Sequence, residues 1–188
     1  MSDWHSSLLD LIVRASTDLP TDVEEALVQA HAKEDAQSSA GLALSTMLEN
    51  VRLARRETQP LCQDTGSLLF WIDVPAGFRQ TTLTQAMETA IEEATRNGIL
   101  RPNCVDSVSG KNLGGNVAKG SPFFHWQEWD REAVRVALIL KGGGCENVSA
   151  QYSLPCERLD AERDLEGVRR CCLDAVASAQ GRGCAPGV

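Results

Sequence analysis

The sequence predicts an α/β fold in which helices pack on a mixed β-sheet, with a helical segment at the N-terminus. Apolar residues recur at helical spacing over residues 8–56. A continuous apolar run at residues 68–74 is typical of a buried strand, and residues 123–126 and 133–140 form two further strand-like segments. The 188 residues are enough to bury a core, so we expect a single domain over residues 1–188.

Five segments of the chain are predicted to be helical. They are residues 8–15, 21–33, 40–56, 81–97 and 163–179. Thr21 or Asp22 is expected to cap the second helix, and the third ends before Pro60. Gly98 is a good terminator for the fourth helix. The last helix carries an apolar face made of Leu165, Val168, Cys172 and Val176.

Composition and charge exclude several classes of protein. The net charge of −8, with no basic stretch to offset it, argues against a nucleic-acid partner. No apolar run reaches the length of a membrane span, so we expect no membrane partner. The first five residues lack the basic region and apolar stretch of a signal peptide, and a cytoplasmic location is the expectation.

The seven cysteines do not read as a disulfide framework, because their number is odd and the expected location is reducing. No Cys-x-x-Cys pair is present, so a zinc ribbon is not predicted. The cysteines are then either buried thiols that act as small hydrophobes or ligands drawn from distant parts of the chain. Cys171 and Cys172 are adjacent in a predicted helix and point in different directions, so we interpret them as packing residues.

The most informative segment is Cys62-Gln63-Asp64-Thr65-Gly66, directly before the first predicted strand. Such a polar cluster builds a core poorly. It suits a site, because a thiolate can ligate a metal while the amide and carboxylate face a small polar ligand. The alternative for the carboxylate is that it caps the following turn.

Two glycine-rich segments also have the composition of a site. Residues 107–121 contain a Gly-Lys-Asn sequence and a Gly-Gly pair, and residues 141–147 read Lys-Gly-Gly-Gly-Cys-Glu-Asn after the third predicted strand. Free backbone N–H groups in such a loop can hold an anion. The first segment has neither the Walker spacing nor the dinucleotide-binding spacing. A flexible surface loop is the alternative.

These motifs, taken in order, resemble a known family. The chain is similar to the N-terminal region of the iron–sulfur hydro-lyases. The motifs that carry the similarity are Pro-x-Cys-Gln-Asp-Thr-Gly, the Gly-Lys-Asn loop, Lys-Gly-Gly-Gly-x-Glu-Asn and x-Cys-x-Pro at Cys184. These are the class I fumarases and the alpha subunits of L-tartrate dehydratase and of two-subunit fumarase. The resemblance covers nearly the whole chain, and the combination of motifs is more specific than any one of them.

The resemblance implies a [4Fe–4S] cluster held by three cysteines, with one iron open to substrate. Cys62 and Cys184 match two of these cysteines, and in the family the third lies beyond residue 188. The reaction implied is the reversible dehydration of a 2-hydroxy dicarboxylic acid of the fumarate/malate or tartrate type, which this segment does not separate. Cys145 stands where the family often has serine, so we interpret it as packing, with a substitute ligand as the alternative.

The same resemblance assigns roles at the substrate. Gln63 and Asp64 are placed at the substrate, where the carboxylate of Asp64 is expected to take part in proton transfer or to orient the group that does. Arg101 matches a carboxylate-binding arginine, and Gly143 lies near the substrate. These roles suit the reaction, because removing a proton next to a carboxylate and expelling hydroxide both develop negative charge.

The C-terminal Gly-rich segment around Cys184 resembles the entry to a strand that is not present, so we expect a truncated or split alpha-type domain, with a flexible tail as the alternative. The expected partner is a beta-type subunit or a C-terminal continuation, in a homo- or hetero-oligomer. The alternative function is a catalytically inactive scaffold or regulatory remnant that binds a partner subunit.

Overall fold

The computed structural model describes residues 4–62, 64–143, 148–180 and 182. The chain divides into two compact units, and the described residues up to Gly142 form the first unit while those from Gly143 onward form the second. Helices and a mixed sheet make up the described chain, and the predicted α/β class is confirmed.

The described part of the first unit contains four helices and three strands. In chain order these are α1 (Trp4–Thr17), α2 (Thr21–His31), α3 (Ser39–Glu57), β1 (Ser67–Pro75), α4 (Gln80–Arg96), β2 (Phe123–Trp129) and β3 (Arg135–Lys141). Each predicted helix and strand of this region is present, with ends that differ by a few residues. The second strand is longer than predicted, because its pairing with β1 continues past Trp126 to the Pro75–Trp129 pair.

The predicted cap of α2 is wrong. Pro20 occupies the N-cap position and Thr21 is the first helical residue, so neither Thr21 nor Asp22 caps the helix with its side chain. Asp22 and Glu24 still lie in the first turn, where the helix dipole favours acidic side chains. The hydroxyl of Ser38, by contrast, caps α3 by accepting the N–H of Gly41.

The three-stranded sheet has the order β2-β1-β3, with β1 in the centre. Strand β1 runs parallel to β2 and antiparallel to β3, so the sheet is mixed as predicted. Ser67 at the start of β1 pairs with Lys141 at the end of β3, and Leu69 pairs with Phe123 at the start of β2. The start of β1, the start of β2 and the end of β3 therefore lie at the same end of the sheet.

The core lies between one face of this sheet and helices α1 and α4. The inward residues of β1 are fully buried against the inward faces of the two helices. The largest fully buried side chains are Phe70, Ile12, Leu68, Ile72, Leu83, Met87, Ile91, Leu100 and Val74. At about 1.5–3 kcal/mol for each buried large aliphatic side chain, this cluster is the main source of stability of the first unit.

The described part of the second unit contains a short 3₁₀ turn (Glu157–Leu159) and the helix α5 (Leu165–Ala179). Asp164 caps α5 by accepting the N–H of Gly167. Cys171 is buried and Cys172 is exposed, so the adjacent thiols point in different directions as predicted, but the interpretation of Cys172 as a packing residue is wrong. The predicted apolar face is exposed, and its Leu165 and Val176 are 88% and 75% exposed.

Among the described residues, no helix has both the length and the apolar character needed to cross a membrane.

Candidate functional site

Sheet topology brings the sequence motifs of the first unit to one end of the sheet. The Cys62 segment enters β1, the glycine-rich loop leads into β2, and β3 ends at Lys141. Since β3 runs antiparallel to β1, the end of one strand meets the start of the other. Segments that are distant in the sequence are thereby neighbours in space.

Gly66 shows how closely two of these segments approach. Its φ of +68° lies in the left-handed region, and a Cβ built on it would be 2.0 Å from the carbonyl oxygen of Lys141 and 2.6 Å from the nitrogen of Gly142. Any side chain at this position would collide with the backbone at the end of β3. The glycine of the first motif is therefore required by its contact with the Lys-Gly-Gly segment.

Helices α1 and α3 fix the chain just before Cys62. The N–H of Leu61 donates to the carbonyl oxygen of Ser16 at 2.8 Å, and the side chain of Asn50 donates to the carbonyl oxygen of Leu61 at 2.9 Å. Ser16, itself buried, donates its hydroxyl to the carbonyl oxygen of Ile99. The residue that precedes the thiol is thus held from both sides by the helical layer.

Local hydrogen bonds shape the turn from Cys62 to Gly66. The Sγ of Cys62 accepts the backbone N–H of Asp64 at 3.4 Å, and the Oδ1 of Asp64 accepts the N–H of Gly66 at 3.1 Å. The second bond is the turn-capping role that we gave as the alternative for Asp64. It also fixes the orientation of the carboxylate, so capping and a role at a ligand are compatible.

Cys62, Asp64 and Thr65 line one cavity of about 550 Å³ in the first unit. This volume is in the range of about 300–1,000 Å³ typical of small-molecule sites. The rest of the lining comes from the end of α1, the connection into α2, the residue before Cys62 and strand β3, and consists of Arg14, Ala15, Ser16, Asp18, Leu19, Pro20, Thr21, Leu61, Leu138, Ile139 and Leu140. A thiol and a carboxylate of the motif therefore face the same space.

Sequence reasoning placed no chemistry in the helical N-terminal region, yet Arg14 and Asp18 line this cavity. Asp18 accepts a hydrogen bond from the Nε of Arg55 at 2.9 Å, and this bond lowers the pKa of the Asp18 carboxyl below its ordinary value. Arg14 is a solvent-exposed residue of a helix face, which is an ordinary place for an arginine. No signal in the sequence distinguishes it from other surface cations.

Polar side chains join the motif to the segments that follow α4. Asn103 donates from Nδ2 to the carbonyl oxygen of Gly66 at 3.0 Å and to the Oγ1 of Thr65 at 3.4 Å. The Oδ1 of Asn116 accepts the N–H of Asn103 at 3.1 Å. Thr65 and Asn116 are buried, at 6% and 3% exposure. We did not predict a role for these three residues, because Thr and Asn in loops are common.

The glycine-rich loop does not offer the free N–H groups that we expected at residues 108–111. The Oδ1 of Asp106 accepts the N–H groups of Val108 and Ser109, while the N–H of Gly110 donates to the carbonyl oxygen of Asp106. The N–H of Lys111 donates to the Ser109 hydroxyl. The loop thus supplies its own anion, and these hydrogen bonds, led by that from the Ser109 N–H, lower the pKa of Asp106.

The predicted site residues are placed as follows. Cys62 and Asp64 share the cavity, whereas Arg101 is exposed and does not line it, although its backbone N–H donates to Thr65. Gly143 belongs to the second unit, and a Cβ built on it would meet no atom within 4 Å. Gln63 and Cys184, like the alternative ligand Cys145, lie outside the described residues, and their roles stay predictions.

Within the part of the chain that the structure describes, no three His, Cys, Asp or Glu side chains come together as a metal site. Cys62 nevertheless fits a ligand in a larger donor set. Its thiol is partly exposed, it faces a cavity, and it accepts an N–H hydrogen bond of the kind that tunes cluster thiolates.

Comparison with known proteins agrees with the motifs. The family model described as Fumarate hydratase (Fumerase) matches residues 5–188, so the chain belongs to this family. It is 45% identical over 190 residues to a provisionally named class I fumarate hydratase of Geobacillus stearothermophilus, in a match that covers 100% of this chain and 37% of that protein. The resemblance drawn from the sequence is confirmed.

Two alpha subunits are also similar to the chain. A provisionally named L(+)-tartrate dehydratase subunit alpha of Methanocaldococcus jannaschii is 30% identical over 185 residues, which cover 95% of this chain and 62% of that subunit. The L(+)-tartrate dehydratase subunit alpha of Escherichia coli K12 is 34% identical over 133 residues, or 69% of this chain and 43% of that subunit. The chain therefore spans 37% to 62% of the length of these three relatives.

Proposed function

We propose that this chain is the alpha-type portion of a [4Fe–4S] hydro-lyase that reversibly dehydrates a 2-hydroxy dicarboxylic acid. The observation that carries the proposal is the shared cavity of Cys62 and Asp64, at the end of the sheet where the family motifs meet. The names of the relatives support a substrate of the fumarate/malate or the tartrate type.

Cys62 and Cys184 are the proposed ligands that this chain supplies to the cluster. When bound, the cluster supplies an open iron that acts as a Lewis acid on the substrate hydroxyl and a carboxylate. The hydrogen bond from the Asp64 N–H to the Cys62 sulfur holds that sulfur in place at the cavity.

The remaining proposed residues act on the substrate. Asp64 moves a proton, since its carboxylate is held at the cavity by the N–H of Gly66. Gln63 and Gly143 bind the substrate with an amide and a backbone group, and Arg101 binds a carboxylate with its guanidinium. Because the developing charge is negative, donors held in fixed positions lower the barrier.

Anaerobic reconstitution with iron and sulfide tests the cluster. We expect a brown protein whose visible absorbance is lost in Cys62→Ser. The matched control is Cys172→Ser, because Cys172 is exposed on α5 and should leave the absorbance unchanged. A wild-type chain that stays colourless under all reconstitution conditions, alone or with its partner, would contradict cluster binding.

We also propose a polypeptide partner, which is a beta-type subunit or the C-terminal continuation of the alpha-type domain. Two of the relatives are named as alpha subunits, and the chain spans only part of each. Two apolar surfaces support the proposal. The outer face of the sheet exposes Trp71, Phe123 and Ile139 at 41%, 47% and 54%, and α5 exposes its own apolar face.

Affinity purification of the tagged chain from its source tests the partner. We expect a second polypeptide that carries the third cluster cysteine. A stable, cluster-free monomer or homodimer would instead favour the alternative, in which the chain is a scaffold or regulatory subunit without catalysis. The cytoplasmic location stays a prediction from the sequence.

A further inference from the structure

We propose that Thr65 and Asn116 are positioning residues that fix Arg101 beside the Asp64 turn, so that its guanidinium meets a substrate carboxylate. This inference rests on the proposed function, because it takes the substrate to be a dicarboxylic acid. It adds two residues that the family motifs did not assign, and it explains how an exposed arginine is held close to the motif.

The backbone of Arg101 is held at both of its polar groups by side chains from two motifs. Its N–H donates to the Oγ1 of Thr65 at 2.9 Å, and its carbonyl oxygen accepts the Nδ2 of Asn116 at 2.9 Å. Thr65 belongs to the Cys62 motif and Asn116 to the glycine-rich loop. The side chains of Thr65 and Asn116 are buried, so leaving their polar groups unpaired would be costly, and the two bonds hold the Arg101 backbone in place.

Asn103 and Thr95 complete the network around these bonds. The amide of Asn116 uses its other donor on the Oγ1 of Thr95 at 2.9 Å and accepts the N–H of Asn103 at 3.1 Å. Asn103 in turn donates to Thr65 and to the carbonyl oxygen of Gly66. In this partly buried network both asparagine side chains have hydrogen-bond partners, and such a network restricts the backbone around Arg101.

The side chain of Arg101 stands in contrast to its backbone. Arg101 is exposed, and no ion pair within the described residues occupies its guanidinium. A planar guanidinium binds a carboxylate by two parallel hydrogen bonds. Binding is tighter when the arginine side chain loses little conformational freedom on binding. Fixing the backbone removes part of that ordering cost.

Replacing the Thr65 hydroxyl tests the inference. Thr65→Val exchanges the hydroxyl for a methyl group of similar size, whereas Thr65→Ser keeps the acceptor. The Kd for L-malate or L-tartrate is measured on the purified protein in the assembly in which it is isolated. We expect this Kd to rise about tenfold in Thr65→Val and to stay near the wild-type value in Thr65→Ser. Thr89→Val is the control, because Thr89 is exposed on α4 and its hydroxyl bonds only within that helix.

A double-mutant cycle with Arg101→Met separates positioning from a structural role. If Thr65 acts through Arg101, Thr65→Val adds nothing to the Kd once Arg101→Met is present. Equal and additive effects would overturn the inference, as would a Thr65→Val protein that binds the acid as wild type does. Hydrogen exchange at the Arg101 amide gives a readout that needs no ligand. We expect this amide to exchange faster in Thr65→Val than in the wild type, and at the wild-type rate in Thr65→Ser and Thr89→Val.

The proposed function and the positioning role fail in different ways. Wild-type protein that binds neither acid, with or without the cluster, overturns the proposed function and with it the role for a substrate. Wild-type protein that binds the acid while Arg101→Met and Thr65→Val act additively overturns only the positioning role. A Thr65→Val protein with an unchanged Arg101 amide exchange rate would contradict the hydrogen bond itself.

Discussion

Helices α4 and α5 have similar lengths and similar apolar faces, but only the first is covered. In α4, Leu83, Met87 and Ile91 are 0% exposed against the sheet. In α5, Leu173 is 55% exposed and Val176 is 75% exposed. The amphipathic pattern predicts a helix with an apolar side in both cases. It does not predict whether the same chain supplies the surface that covers that side.

The two units consequently rely on different interactions. The first unit is stabilised by a continuous apolar core between the sheet and helices α1 and α4. In the described part of the second unit, the buried side of α5 is small, consisting of Gly167 and Cys171. Around it lie ion pairs in which Arg158 contacts Asp174, and Arg170 contacts Glu166. The second unit should therefore respond more to charge and less to apolar truncation.

Truncating a matched leucine in each helix should give the largest difference. Leu83→Ala removes a fully buried side chain and leaves a cavity, so we expect a loss of about 2–5 kcal/mol in the free energy of unfolding. Leu173→Ala removes a half-exposed side chain, and we expect a change within about 0.5 kcal/mol. Urea unfolding followed by circular dichroism measures both.

Intrinsic fluorescence assigns each change to a unit. The four tryptophans, Trp4, Trp71, Trp126 and Trp129, lie in the first unit, and the single tyrosine, Tyr152, lies in the second. A Leu173→Ala protein that loses as much stability as Leu83→Ala would break the comparison. It would mean that the apolar face of α5 is covered in the isolated protein, for example by a second copy of the chain.

The elements of the first unit could be predicted because their signals are local. Helical periodicity, the apolar run before Val74 and the terminating Gly98 each depend on a few neighbouring residues. The order and register of the strands depend on contacts between distant residues, such as Ser67 with Lys141, and no local pattern contains them. The cap of α2 was missed because Thr21 is already the first helical residue, so the N-cap position falls on Pro20, which has no side-chain capping hydrogen bond.

The site residues also divide into those that a local motif predicts and those that only the fold brings together. Cys62 and Asp64 could be named from the motif, because a thiol next to an amide and a carboxylate is unusual before a strand. Arg14 could not, since its place at the cavity follows from how α1 packs. Asn116 could not either, because its value lies in hydrogen bonds to Arg101, Asn103 and Thr95, which only the fold brings together.

Acid should have a smaller effect, and the ion pairs of the second unit contain the two carboxyl groups with the most strongly lowered pKa values among the described residues. Hydrogen bonds from Arg158, and then from Tyr152, lower the pKa of Asp174 from an ordinary 3.8 to about 2. Those from Arg169, and then from Arg170, lower the pKa of Glu166 from 4.5 to about 2. A carboxyl group whose pKa is lower in the folded state contributes stability above its unfolded pKa. That contribution is lost as the pH falls from about 4.5 to about 2.

Removing the partner of Asp174 tests this directly. In Arg158→Met we expect the pKa of Asp174, followed by carboxyl carbon NMR shifts, to rise toward its ordinary value because its first hydrogen-bond donor is gone. The stability of the second unit, followed by Tyr152 fluorescence, should then fall less between pH 4 and pH 2 than it does in the wild type. Added salt should reduce the difference between variant and wild type, because the Arg158 side chain is exposed and Asp174 is only partly buried.

Arg163→Met provides the matched control for this prediction. It removes the same charge from the same unit, but Arg163 donates to the backbone carbonyl of Leu154 and not to a carboxylate. Its effect on the Asp174 pKa should therefore be small. If Arg163→Met raised that pKa as much as Arg158→Met does, the shift would come from the general positive charge of the unit. That result would contradict the view that the second unit, unlike the first unit with its apolar core, is stabilised by specific ion pairs.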